Sequence, residues 1–101
     1  MLAELQMTTF TKCLDTEFQL VDENSPEFSL KLTDVIDRAK TPRQETFSLL
    51  FQGPAEHFVA QGIHKLEHDQ LGVIDIFLVP IGQGAGGFQY EAVFNHQTPP
   101  V

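Results

Sequence analysis

The chain has 101 residues, 42% of them hydrophobic, and its six Lys and Arg against fourteen Asp and Glu give a formal net charge of −8. This length suits one domain with one hydrophobic core, and the composition excludes a disordered chain. The negative charge opposes binding to nucleic acid and to anionic membrane surfaces, so we expect neither as a partner.

Cys13 is the only cysteine, which excludes an intrachain disulfide and fits a reducing cytoplasm. We predict that it is a small packing residue. The start of the chain, MLAELQMTTFTK, lacks the basic and apolar regions of a secretory signal, and no stretch approaches the roughly 18 apolar residues of a membrane span. We therefore expect one cytoplasmic domain, 1–101, with a helical lead-in over 1–15 and a tail over 96–101.

The N-terminal part of the chain predicts one short helix and a β-hairpin. Phe10 and Leu14 stand four residues apart, which places them on one helical face. Alternating apolar residues then predict strands over 17–22 and 27–37, with the turn-forming DENSP between them. The RAKTPR segment, 38–43, has no apolar period and is predicted to be a surface connection.

Four further strands are predicted over 46–52, 62–68, 72–82 and 88–95. The AEHFVAQ stretch before the second of these is predicted to be a loop with Phe58 as its one buried anchor. The run GVIDIFLVPIG is the most apolar, so we predict a central strand covered on both faces. Antiparallel pairing of sequential neighbours then predicts a mainly β fold: a small six-stranded meander barrel or compressed sandwich with a short N-terminal helix.

Some apolar residues remain after this core is filled, and we predict that they point outward. Either the N-terminal helix or a protein partner has to cover them. Loops around 53–62 and 82–87 border the same region. The candidate interaction surface consists of Leu50, Ile74, Ile76, Leu78, Val93, His57 and Phe58.

Two histidines and a glutamate, His64, Glu67 and His68, spell HxxEH, the pattern of the inverzincin zinc peptidases. That chemistry requires a helix, because on a strand residues four apart are separated by roughly 13 Å and cannot chelate one ion. Convergence of all four histidines with nearby acids is the alternative, and scattered surface histidines are the interpretation that we favour. We predict no metal site.

Other catalytic patterns are also incomplete. GxGxxG at Gly82, Gly84 and Gly87 is half of a dinucleotide fingerprint, but a strand follows it instead of a helix, so we predict a hairpin loop. We find no GxSxG elbow, and we predict no catalytic residue, no cofactor and no enzymatic activity. Asp75 is an acid within the central strand, and we expect it near the exposed end, with a buried carboxylate as the alternative.

The second half of the chain contains the blocks SLLFQGP (48–54), QGI (61–63), LEHDQLG (66–72), IFLVPIG (76–82) and YEAVFN (90–95). Together these blocks resemble a family of short bacterial proteins classed as a domain of unknown function. The N-terminal half resembles the family more loosely, through a short leading helix and the pair Thr9-Phe10, and His64 stands where we expect an aromatic residue in relatives. The resemblance implies no catalytic residues and implies an accessory role in a phage-tail-like or surface assembly.

Three functions follow as hypotheses. The first is a small, acidic, non-enzymatic module that binds another protein or itself as a homodimer. The second is a carrier of a small apolar ligand, in which the phenylalanine-lined barrel is hollow. The third is a metal-dependent hydrolase that uses the histidines and carboxylates.

Overall fold

The computed structural model describes residues 7–21, 28–41, 44–84 and 86–97. One short helix precedes six antiparallel strands that close into a ring, which confirms the predicted fold class. The elements are α1 Met7–Thr11, β1 Glu17–Leu20, β2 Ser29–Thr41, β3 Gln44–Gly53, β4 Gly62–His68, β5 Gly72–Gly84 and β6 Gly87–Gln97.

The strand order around the barrel is β1-β2-β3-β6-β5-β4. The prediction that all sequential neighbours pair is therefore wrong for β3 and β4, since β3 pairs with β6 and β1 pairs with β4. In this ring β3 and β4 stand three positions apart in either direction, on opposite walls. The chain that joins them, 54–61, has to cross one end of the barrel.

Two predicted boundaries need correction. The RAKTPR segment does not leave the sheet at Arg38, because β2 continues to Thr41 through backbone pairing with β3, ending at Thr41↔Gln44. Backbone hydrogen bonds need no apolar alternation, so the polar sequence gave no sign of this strand. The last strand likewise runs to Gln97, two residues into the predicted tail. Predictions for 1–6, 22–27, 42–43 and 98–101 lie outside the described residues.

The central strand β5 has one buried and one exposed face, not two buried ones. Ile76 and Leu78 are 1% and 0% exposed, whereas Val73 and Phe77 are 55% and 47% exposed. In a closed antiparallel barrel every strand turns alternate side chains inward and leaves the others to solvent. The prediction that Ile76 and Leu78 point outward is wrong, and Ile74, on the same side, is half-buried against the core.

Side chains from all six strands fill the interior. Phe18 meets Phe51 edge-on with ring centroids 5.3 Å apart, and Phe47 stacks on Phe94 at 5.3 Å. A ring of this size leaves space inside for side chains only. The strand residues at 2% exposure or less with apolar side chains are Phe18, Leu20, Leu30, Leu32, Phe47, Leu49, Phe51, Leu66, Ile76, Leu78, Tyr90 and Ala92.

Helix α1 closes one end of the barrel. Phe10 is fully buried and lies 5.9 Å from Phe47 and 5.2 Å from Phe94, measured between ring centroids. Cys13 is 1% exposed, which confirms its predicted packing role, and burial raises the pKa of its thiol. Leu14 does not share the buried face of Phe10, because α1 ends at Thr11 and Leu14 is 36% exposed.

Nowhere in residues 7–21, 28–41, 44–84 and 86–97 is there a helix with the length and apolar character that crossing a membrane requires.

Candidate functional site

The 54–61 segment, which we call the crossing loop, closes the end of the barrel away from α1. The N–H of Met7 donates to the Glu45 carboxylate at 3.2 Å, which places the helix near the start of β3, and the crossing loop begins where β3 ends. Because the crossing loop joins opposite walls, it runs over the open end of the barrel. One end of the barrel is thus covered by α1 and the other by the crossing loop.

Val59 is the anchor of the crossing loop. Its side chain is 3% exposed, and its backbone N–H donates to the hydroxyl of Tyr90 at 2.9 Å. Burial raises the pKa of the Tyr90 hydroxyl, while the hydrogen bond from Val59 acts in the lowering direction. The prediction that Phe58 is the buried anchor is wrong, since Phe58 is 58% exposed. In an irregular loop no periodicity indicates which of two adjacent apolar residues turns inward.

A pocket of about 410 Å³ opens beside the crossing loop. The rings of Phe28 and His57 stack at 5.0 Å with 13° between their planes, and Phe58 packs edge-on against Phe88 at 5.1 Å. The pocket thus combines aromatic walls with a carboxylate, and we call it the loop pocket. Its lining residues are Leu20, Phe28, Glu56, His57, Phe58, Val59, Ala60 and His64.

The HxxEH residues lie on strand β4, as predicted, and the two histidines have separate roles. His64 donates from Nε2 to the carbonyl oxygen of Ala60 at 2.7 Å. His68 is 5% exposed, and its Nδ1 accepts the N–H of Gln70 at 3.0 Å. Its Nε2 therefore carries the proton and donates to Oγ1 of Thr16 at 2.8 Å. Neither imidazole is arranged for an inverzincin zinc site.

Across the residues that the structure describes, no group of three or more His, Cys, Asp or Glu side chains is close enough to hold a metal ion.

Five large, exposed apolar side chains lie on the outside of β4, β5 and β6. Ile63 stands directly opposite Phe77 in the β4–β5 pairing, and these side chains are 71% and 47% exposed. The β5–β6 register, with Val79 opposite Glu91, puts the exposed side chain of Val93 on the same outer side. We call this surface the outer apolar face; it consists of Ile63, Val73, Phe77, Ile81 and Val93.

The predicted interaction surface overlaps this face only at Val93. Leu50 is half-buried on the outside of β3, and the two loop residues, His57 and Phe58, line the loop pocket instead. Sequence reasoning missed Ile63 and Phe77 as members of an exposed face, although a signal was present. Lys65 and Asp75 stand two residues from Ile63 and Phe77, and therefore on the same side of β4 and β5. Charged residues mark the side of a strand that faces solvent.

The model of the family described as Domain of unknown function (DUF6916) matches residues 5–94. The chain belongs to this family. The resemblance found in the sequence is thereby confirmed at the level of a domain of unknown function. Comparison with curated proteins and with solved structures gave no match.

In this DUF6916 chain, the carboxylate of Asp75 lies on the solvent side of β5, where it forms an ion pair. Asp75 pairs with Lys65 across the β4–β5 register at 3.0 Å, and both side chains are about 60% exposed. The expectation of an exposed Asp75 is confirmed, but Asp75 lies in the paired middle of the strand.

The glycine motif of the DUF6916 chain forms a hairpin, as predicted. Gly84 pairs with Gly87, and β6 follows at once. Gly87 has a φ of 120°, and a Cβ there would collide with the carbonyl oxygen of Gly53. Glycine is therefore required for backbone geometry and for close packing on β3.

Proposed function

We propose that this protein is a small, non-enzymatic protein-binding module, and that the outer apolar face is its contact surface. The observation that carries the proposal is the directly opposed pair Ile63 and Phe77, 71% and 47% exposed on the outside of the barrel. Single exposed apolar residues are ordinary, but a cluster on one side of a small domain is typical of interaction sites. Burying such side chains against a partner would gain about 25 cal/mol per Å² of apolar surface.

Charged groups lie within and beside the outer apolar face. The Lys65–Asp75 ion pair separates Val73 from the pair Ile63 and Phe77 along the strands. Glu91, two residues before Val93 on β6, pairs with Arg38 at 3.2 Å, and Arg38 donates from Nε to Ser48 at 3.1 Å. Protein interfaces ordinarily combine apolar contacts with charged and polar groups.

The two other hypotheses have less support. The ligand carrier requires a hollow barrel, whereas fully buried side chains such as Phe18, Leu49 and Leu78 occupy the interior. The hydrolase requires both histidines of HxxEH at one metal, whereas His64 and His68 are engaged by Ala60 and Thr16 respectively. Within our proposal, the partner is a second copy of the chain or a protein of a phage-tail-like or surface assembly.

A charge-insertion series tests the proposal. The double variant Ile63→Lys with Phe77→Lys disrupts the centre of the face, and Asp34→Lys, at an exposed position of β2 on the opposite wall and with the same change in charge, is the matched control. Sedimentation velocity measures self-association, and quantitative affinity enrichment from the native host measures other partners. We expect the control to keep every complex of the wild type and the double variant to lose them.

A monomeric wild type with identical enrichment profiles for all three proteins would refute the proposal. Because the substituted side chains are exposed, we expect all three to melt at similar temperatures, which thermal circular dichroism checks.

A further inference from the structure

We propose that the loop pocket receives the side chain of an arginine from the partner protein. This inference rests on the proposed function, since it names a chemical feature of the partner. The pocket volume of about 410 Å³ lies within the range of roughly 300–1,000 Å³ that ligand sites occupy. The crossing loop, held over the barrel mouth by Val59 and Tyr90, gives the pocket a defined wall.

The walls of the loop pocket suit a planar cation on an apolar stem. Phe28 and His57 form a stacked pair, and Phe58 is 58% exposed while it is held edge-on against Phe88. The faces of aromatic rings carry negative potential and attract cations. Leu20 and Val59 provide apolar contact for the methylene groups of a long side chain.

The charge of the pocket also favours a cation. Glu56 is exposed, and within the described ranges no ion pair joins it to another residue. No lysine or arginine is among the described residues that line the pocket. The whole chain carries a formal charge of −8, so its field attracts basic partners and repels acidic ones.

Arginine fits better than lysine for a geometric reason. A guanidinium group can stack on an aromatic face and, in the same position, donate two parallel hydrogen bonds to a carboxylate. An ammonium group is a compact, strongly hydrated charge that cannot stack. Only the planar guanidinium group can stack on Phe58 or His57 and donate to Glu56 at the same time.

A nuclear magnetic resonance titration of the full chain tests the inference. The ¹⁵N-labelled protein is titrated with the peptide acetyl-Gly-Arg-Gly-amide and with three peptides that replace arginine by citrulline, lysine or glutamate. Citrulline has the shape of arginine without its charge. We expect saturable shifts at the amides of His57, Phe58 and Ala60 with the arginine peptide, and about tenfold weaker binding of the citrulline peptide.

Substitution of the carboxylate gives a second, independent measurement. Glu56→Gln should weaken binding of the arginine peptide, while Glu67→Gln, an exposed acid of β4 that does not line the pocket, should leave it unchanged. Absence of saturable shifts, equal binding of the citrulline or glutamate peptide, or equal binding by Glu56→Gln would each overturn the inference.

Failure of this inference is distinguishable from failure of the proposed function. If arginine binding is absent while the Ile63→Lys, Phe77→Lys variant still loses its complexes, the outer apolar face acts alone. If arginine binds in the loop pocket while the face variants behave as wild type, the proposed contact surface is refuted.

Discussion

Removal of the Tyr90 hydroxyl should destabilise the protein through the crossing loop. In Tyr90→Phe the ring remains in the core, but the N–H of Val59 loses the acceptor that lies 2.9 Å away. Tyr90 is fully buried and Val59 is 3% exposed, so water has little access to the orphaned group. A buried, unsatisfied N–H costs about 1–3 kcal/mol.

That cost corresponds to a fall in melting temperature of about 4 to 24 °C, because 1 kcal/mol shifts a domain of roughly 60–100 residues by about 4–8 °C. Differential scanning calorimetry at pH 7 measures the shift, and hydrogen exchange at the Val59 amide reports the local bond. Gln89→Ala, at the exposed neighbouring position, is the control and should change little. An unchanged melting temperature together with an equally protected Val59 amide would show that the loop is held by other contacts.

Three further predictions address the face of β5, the hairpin glycine and the buried thiol. Ile76→Ala should lower the free energy of unfolding by about 2–5 kcal/mol, whereas Phe77→Ala, at an exposed position, should cost much less; equal costs in urea titrations would contradict the assigned faces. Gly87→Ala should destabilise far more than Gly72→Ala, because both glycines have positive φ but only a Cβ at 87 also collides with a backbone carbonyl oxygen of β3; thermal denaturation of both variants decides this. Cys13 should react slowly with a disulfide reagent at pH 8 in the native protein and rapidly in urea, because burial raises its pKa and keeps the thiolate scarce; equal rates would exclude a buried thiol.

The parts that sequence predicted well are those with local physical causes. Strand β4 has its predicted bounds, because Gly62 starts it and the turn Asp69-Gln70-Leu71 follows its last residue, His68. The β5–β6 hairpin has glycine at Gly87, where φ is 120° and other residues rarely fit. The same reasoning excluded a helix at HxxEH, and the observed strand confirms this.

The candidate sites were predictable only in part. The crossing loop was recognised, but its anchor was assigned to Phe58 instead of Val59, because adjacent apolar residues in a loop offer no period to choose between them. The outer apolar face was placed on the wrong side of β5. The run GVIDIFLVPIG is apolar at nearly every position, so only the charge of Asp75 distinguished its two sides.

The amino-acid sequence by itself determined that this protein is a small, acidic chain of six antiparallel strands with a helix at its start, because alternation, glycine and charge act over a few residues. Tertiary structure alone decided that β3 joins β6 and β1 joins β4, and hence that the crossing loop spans a barrel mouth. Ring closure depends on which distant strands meet, and no local pattern encodes that choice. The pocket and the exposed face both result from it.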